Sequence, residues 1–281
     1  MVVHELNSTD YATMETELEK ELPYSICVYN HFKMLRRGSL TEKVVLVDKW
    51  PNFSAVVIVD SKKLNTLPFA VCFCKQPDFC QSLETLLRHA FEALASPLVI
   101  VGCTTVVIDS LINSFKDAET CPVREDSRVF VFTLPPNKIV PLEIPDGFKI
   151  SLLNQSQSHV ENVCKSWDPK GEYDQYGDLG CWMRYHISNF HTVGIETEDG
   201  RLVAWQLQQE YGGIGMLYVE PEYRRANLGS VVTRTLAGKL VKDGHLVFAC
   251  VEQKNETSIN FHKKNGYVLM PFEMSFAFYN S

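Results

Sequence analysis

The segment Leu134 to Gly147, LPPNKIVPLEIPDG, constrains this chain more than any other. Its four prolines, Pro135, Pro136, Pro141 and Pro145, fix φ and remove backbone donors, so neither a helix nor a sheet ladder can run through it. A boundary is expected here, with one domain over residues 1–134, a linker over 135–147 and a second domain over 148–281. The length of 281 residues agrees with two domains, each near the usual roughly 150 residues. Apolar residues make up 45% of the chain and charged ones 22%, enough to bury real cores and too apolar for a disordered polymer. Lys and Arg total 27 against 34 Asp and Glu, a net charge of −7 without a long basic run. That balance argues against nucleic acid and favours a small-molecule partner.

The nine cysteines are scattered without CxxC pairing, which suggests a reducing, intracellular compartment. The first residues, MVVHELNSTDYATMETELEKEL, carry glutamates where a secretory signal would carry a basic and then an apolar stretch. Both the mitochondrion and the cytoplasm stay open. The longest uncharged run, Ala93 to Ile108, is shorter than the ~20 residues a membrane-spanning helix needs and is broken by Pro97 and Gly102. It reads as a buried strand with its approach, and no membrane span is expected.

Periodicity divides the rest. Met14, Leu18 and Leu22 mark a helix stopped by Pro23, and the β-branched runs Val44 to Val47 and Ala55 to Val59 read as buried strands. After the linker come a strand FKISLL, a helix from about Ser158 to Trp167, and strands HTVGIE and RLVAWQL around Glu198-Asp199-Gly200, a hairpin signal. A third strand, IGMLYV, leads to Gly229, after which Val232, Leu236 and Leu240 form one apolar helical stripe. A strand LVFACV, a helix from about Glu256 to Lys264 and a strand MSFAFY close the chain. The class is mixed α/β.

The stretch MLYVEPEYRRANLG, Met216 to Gly229, places an apolar strand, a turn and a helix start in succession. A helix amino terminus presents unpaired N–H groups and a partial positive charge, so this arrangement builds an anion site. Asn227 tolerates positive φ, and Gly229 permits close approach. Downstream, Asn255 to Tyr267 reads NETSINFHKKNGY.

Together the two stretches resemble the GNAT acyltransferase superfamily. Its Arg/Gln-x-x-Gly-x-Gly/Ala signature matches at Arg224 and Gly229, with Asn227 where glycine is usual. Its later Asn...Tyr-x-Lys-x-Gly-Phe pattern matches at Asn255, Lys264, Gly266 and Tyr267, with His262 in place of tyrosine. LPYSICVYNHF and VDKWPNFSAVVIV are similar to the amino-terminal domain of the glycine N-acyltransferase group. The resemblance implies a carboxy-terminal GNAT fold with a mixed, splayed central sheet flanked by helices, preceded by a smaller GNAT-like α/β domain. It also implies transfer of an acyl group from acyl-CoA, as co-substrate, to the amine of glycine or a similar small acceptor by direct attack. Two rival readings are an acyl-CoA-binding module with weak or no chemistry, and an N-acetyltransferase acting on another amine or a peptide.

By that resemblance the backbone of Arg225, Ala226, Asn227, Leu228 and Gly229 binds pyrophosphate, helped by Ser230. The pantetheine arm pairs with Leu217, Tyr218 and Val219, where a backbone N–H would polarise the thioester. Arg224 and Asn255 join the coenzyme site, and His262 as imidazolium would protonate the departing thiolate. Many relatives carry a glutamate as base where this chain has Gly213, so Glu210 or His191 is expected to serve. Arg36-Arg37 would either touch the coenzyme's 3′-phosphate or face water. Cys181, His186 and His191 lack a fourth ligand, so no metal is expected.

Overall fold

The computed structural model describes residues 2–38, 40, 42–63, 68–167 and 178–280. They form two compact units, one of Met1–Val131, Val251–Asn255 and Met270–Ser281, the other of Phe132–Cys250 and Glu256–Leu269.

The first unit begins with β1 (His4–Glu5), α1 (Tyr11–Lys20) and α2 (Ile26–Arg36), followed by β2 (Lys43–Val47), β3 (Ala55–Asp60) and β4 (Phe69–Cys74). It continues with α3 (Cys80–Leu94), β5 (Leu98–Val101), α4 (Thr105–Asn113) and most of β6 (Val123–Leu134). The β-branched runs became strands because both of their faces are covered, and every residue of β3 is buried. β4 and β5 run parallel, whereas β2–β3 and β3–β4 are antiparallel, so the sheet is mixed. The run 93–108 divides into the end of α3, β5 and the start of α4. Ala95 takes a left-handed conformation at φ 47° and ends α3 there.

The second unit comprises β7 (Phe148–Ser151), α5 (Gln157–Trp167), α6 (Leu179–Asn189), β8 (Thr192–Thr197), β9 (Leu202–Gln208), β10 (Ile214–Val219) and α7 (Leu228–Lys242). β11 (Val247–Glu252) and α8 (Glu256–Lys264) follow, and β12 (Val268–Tyr279) closes the chain. The hairpin forms where expected, with Gly200 at φ +87° donating its N–H to Thr197 O at 3.0 Å. The sheet order is β10-β9-β8-β7, antiparallel throughout. Val232, Leu236 and Leu240 are fully buried and seat α7 on this sheet. Gln206 faces that helix, its side-chain oxygen accepting from Thr233 Oγ1 at 2.8 Å. Alternation along β9 turns Trp205 and Leu207 to the opposite face.

Residues 270–279 were expected in the second domain, yet they cluster with the first unit. Ala277, Phe278 and Tyr279 pair antiparallel with Ile100, Val99 and Leu98. An apolar strand carries no local mark of which edge will accept it, so this pairing is set by tertiary structure alone.

Candidate active site

β10 is the end strand of its sheet, so one row of its backbone groups turns away from β9. Its register is broken: Gly215 pairs with Leu207 and Tyr218 with Trp205, leaving Met216 and Leu217 opposite the single residue Gln206. This is a β-bulge, with Met216 at φ +54°. Bulges re-aim backbone groups, and here the change falls in the strand expected to face the thioester. The apolar pattern of IGMLYV carries no sign of it. Gln209 also escaped the sequence reading; its side chain lies over Gly215, and its Nε2 is buried without a hydrogen-bond partner among the described residues.

Beyond β10 the chain makes a tight turn. Arg224 N–H donates to Pro221 O at 3.3 Å. Arg225 and Asn227 adopt φ +72° and +60°, and α7 begins at Leu228. Asn227 bears out its expected tolerance of positive φ; the same conformation at Arg225 has no sequence signal. Asn227 O accepts from Ser230 N at 3.1 Å and Val231 N at 3.2 Å. Among the described residues, the N–H groups of Arg225, Ala226, Asn227, Leu228 and Gly229 find no backbone acceptor. A short αL-containing loop running into a helix amino terminus gathers such donors into a concave anion receptor. Ser230 is buried, with its own N–H turned into the helix. The Arg224 side chain folds back, with Nε donating to Val219 O at 3.0 Å and its guanidinium over the Tyr218 ring at 5.8 Å. Arg225 is exposed.

Gly229 faces the protein. A Cβ there would stand 3.4 Å from Phe261 Cε2 and 3.5 Å from Val219 Cγ2, ordinary contact distances. Gly229→Ala is therefore expected to keep coenzyme affinity and gain up to about 1 kcal/mol of stability. Gly229→Val, whose extra methyl groups wedge between Val219 and Phe261, should cost about 1–3 kcal/mol. Paired thermal unfolding and coenzyme A calorimetry check this; lost affinity in the alanine variant would show that the Cβ direction faces the ligand instead.

Gly213, where the resemblance leads one to expect a glutamate base, is hemmed in by rings. A Cβ on Gly213 would come within 2.8 Å of Tyr211 Cε2 and 3.0 Å of Phe248 Cε2, so no carboxylate fits there without moving them. Glu210 sits in the β9–β10 turn, where Gln209 N donates to Gly213 O at 2.7 Å, and it is only 4% exposed. A surface-turn glutamate is normally solvated, so this burial is a tertiary feature. His191 is held elsewhere, its Nε2 2.6 Å from Asp243 Oδ2. Asp243 caps the carboxyl end of α7, a 15-residue helix about 22 Å long at 1.5 Å per residue, so His191 stands far from the loop that opens it.

His262 projects from α8, one residue after Phe261, and is 5% exposed. Its Nδ1 lies 2.7 Å from Ser258 O and 3.3 Å from Ser258 Oγ; a carbonyl only accepts, so the shorter contact favours the hydrogen on Nδ1. The ring stacks on Phe132 at 5.7 Å and meets Tyr267 edge-on at 4.9 Å. Burial lowers its proton affinity, outweighing the opposing pull of the Ser258 carbonyl. Burial thus works against the imidazolium that the expected donor role requires. The Nε2 is buried and has no hydrogen-bond partner among the described residues. Tyr267 OH is likewise buried without a hydrogen-bond partner, and burial pushes its phenol far above the ordinary range. Asn255 is exposed, falls in the 251–255 segment that clusters with the first unit, and donates its N–H to Glu252 O at 2.9 Å.

Remaining candidates separate. Cys181 N donates to Asp178 Oδ1 at 2.8 Å, and His186 Nδ1 lies 3.2 Å from Trp182 O, while His191 is with Asp243. Among the described residues, no three His, Cys, Asp or Glu groups are arranged to hold a metal. Arg36 is ion-paired with Glu15.

A bulged edge strand feeds an anion-accepting helix start within a mixed α/β architecture, and the fold is that of the GNAT proteins. A Drosophila protein solved by X-ray crystallography shares the fold at TM-score 0.76 and 16% identity, over 99% of this chain and 98% of that one. A GCN5-related N-acetyltransferase from Sphaerobacter thermophilus does so at TM-score 0.56 and 13% identity, over 99% and 95%. Residues 192–276 match the FR47-like protein family. Residues 2–172 match the family described as aralkyl acyl-CoA:amino acid N-acyltransferase, and the chain belongs to that family. The Homo sapiens glycine N-acyltransferase is 27% identical, over 86% of this chain and 87% of its own. The Bos taurus enzyme of that name is 27% identical over 92% of each, and a Mus musculus glycine N-acyltransferase-like protein 25% over 96% of each. The family implies acyl-CoA as the co-substrate.

Proposed function

We propose that this chain transfers an acyl group from acyl-CoA to the amine of glycine or a similar small amino acid, by direct attack in a ternary complex. The observation that carries this reading is the run of N–H groups from Arg225 to Gly229 at the start of α7 that find no backbone acceptor among the described residues. Such a row accepts a pyrophosphate without help from a metal. On this reading Leu217, Tyr218 and Val219 hold the pantetheine arm through the free edge of β10, and the bulge supplies the N–H that polarises the thioester carbonyl. Arg224 braces the loop by its bond to Val219 O, Arg225 offers an exposed cation to the phosphates, and Ser230 borders the coenzyme. Glycine is the acceptor in the names of several relatives. Glu210, buried beside the head of β10, is proposed to receive the ammonium's first proton. Nine cysteines scattered without CxxC pairing suit a reducing, intracellular compartment, mitochondrial or cytoplasmic. No helix among the described residues is long and apolar enough to cross a membrane.

The rings at Gly213 favour a second reading, a coenzyme-binding module with weak chemistry. One plate separates the two. Free-thiol release is followed with acetyl-, hexanoyl- and benzoyl-CoA, each crossed with glycine, glutamine and an acceptor-free control. Release that requires an amino acid is the expected result. Thermal stabilisation by coenzyme A without release from any pair would favour the module, and the absence of both would sink the loop assignment.

A further inference from the structure

We propose that Gln209 recognises the acceptor, its side-chain amide donating to the carboxylate of the amino acid whose amine is acylated. This rests on the acyl-transfer reading above and names the group that selects a free amino acid over a peptide or a simple amine. Gln209 is 7% exposed, and its Nε2 is buried without a hydrogen-bond partner among the described residues. An amide donor left unpaired in the interior costs folding free energy and calls for an explanation. Its position supplies one. A Cβ on Gly215 would stand 3.0 Å from Gln209 Cγ and 3.2 Å from Nε2, so the amide lies against β10, one residue before Met216, where the bulge begins. A glycine in a strand marks such a close approach. Gly215 pairs with Leu207 and Tyr218 with Trp205, and both pairs lie on the face opposite to Gln206 and α7. Trp205 Nε1 is a second buried donor without a partner among the described residues on that face. About 13 Å of strand separates residues 205 and 209, at roughly 3.3 Å per residue, and of the two it is Gln209 that adjoins Glu210.

The chemistry of a free amino acid fits this turn. Its ammonium and carboxylate are joined through a single carbon, so the groups that receive them must be neighbours. Glu210, proposed to take the ammonium's first proton, is the next residue in the chain and is itself buried. A lysine or arginine at 209 would pair with that glutamate, whereas a neutral amide keeps two N–H hydrogens for the ligand. Nε2 has no hydrogen bond among the described residues to give up when it turns toward a carboxylate.

The test compares glycine with glycinamide, in which a neutral amide replaces the carboxylate, using the acyl-CoA that performs best in the plate above. KM is the quantity read, because the two amines differ in basicity. Gln209→Met fills the same space over Gly215 without N–H groups. Its KM for glycine is expected to rise about ten- to hundredfold, the worth of a hydrogen bond to a charged group. Its kcat, its KM for glycinamide and its coenzyme A affinity by calorimetry should stay near wild type, the pattern of lost ground-state binding. Gln209→Glu, which sets a carboxylate against the ligand's own, should raise the glycine KM further and spare glycinamide. A Q209M protein with the wild-type ratio of glycine to glycinamide KM, whether both constants hold or both rise together, overturns the proposal and leaves acyl transfer standing. Wild-type protein that binds coenzyme A yet acylates no amine overturns both. Should Q209M fail to fold, nitrogen NMR of glutamine-labelled wild type with coenzyme A bound decides. The Gln209 side-chain N–H signals are expected to shift on adding glycine and not glycinamide, and signals that move with neither overturn the proposal.

Discussion

Replacing Lys43 with methionine is expected to lower the stability of the first unit by about 3–5 kcal/mol, the range for removing one partner of a buried ion pair. Lys43 Nζ lies 2.7 Å from Asp60 Oδ1, with side chains only 1% and 3% exposed. They face each other across β2 and β3, where Lys43 is the register partner of Asp60. Desolvating a carboxylate is costly, and the variant removes the ammonium that stands 2.7 Å from it. The double variant K43M/D60L should recover most of the loss, because no charge then stays buried. Urea unfolding of the single and double variants measures this. A single variant as stable as wild type, or a double variant as unstable as the single, would show that the pair is not what holds β2 on β3.

The second large effect is expected at Trp205. This side chain is fully buried on β9 and stacks on Tyr218 of β10 at 4.9 Å, and Tyr218 lies beneath the Arg224 guanidinium. Trp205→Ala removes the base of that stack and leaves a cavity, at about 3–5 kcal/mol. Because the stack supports the strand entering the loop, coenzyme A affinity should fall as well. Trp205→Phe retains a ring against Tyr218 and should lose less stability, with affinity near wild type. Thermal unfolding with and without coenzyme A, alongside calorimetry, reports both quantities. Equal coenzyme affinity in the alanine variant would disconnect the stack from the loop.

Much of the fold was legible in the residues. The apolar stripe Val232, Leu236 and Leu240 seats α7, the Glu198-Asp199-Gly200 turn closes the β8–β9 hairpin, and Asn227 adopts the positive φ its side chain tolerates. Each depends on interactions within a few residues, which is why a linear pattern can encode it. The order of strand, basic turn and helix start was readable for the same reason, and it marked a candidate anion site. The bulge at Met216 and the left-handed Arg225 were not readable, because neither residue type advertises positive φ.

Local sequence alone therefore determined which segments become helix or strand, where the proline-rich segment interrupts them, and where a helix start could receive an anion. Tertiary structure decided how those segments behave. It paired residues 277–279 with β5, buried Glu210 in a turn, filled the space beside Gly213 with two rings, and enclosed His262 among aromatic side chains. These outcomes turn on desolvation and on which distant surfaces meet. Both are properties of the packed chain, and a histidine's charge or a strand's neighbour has no value until that packing exists.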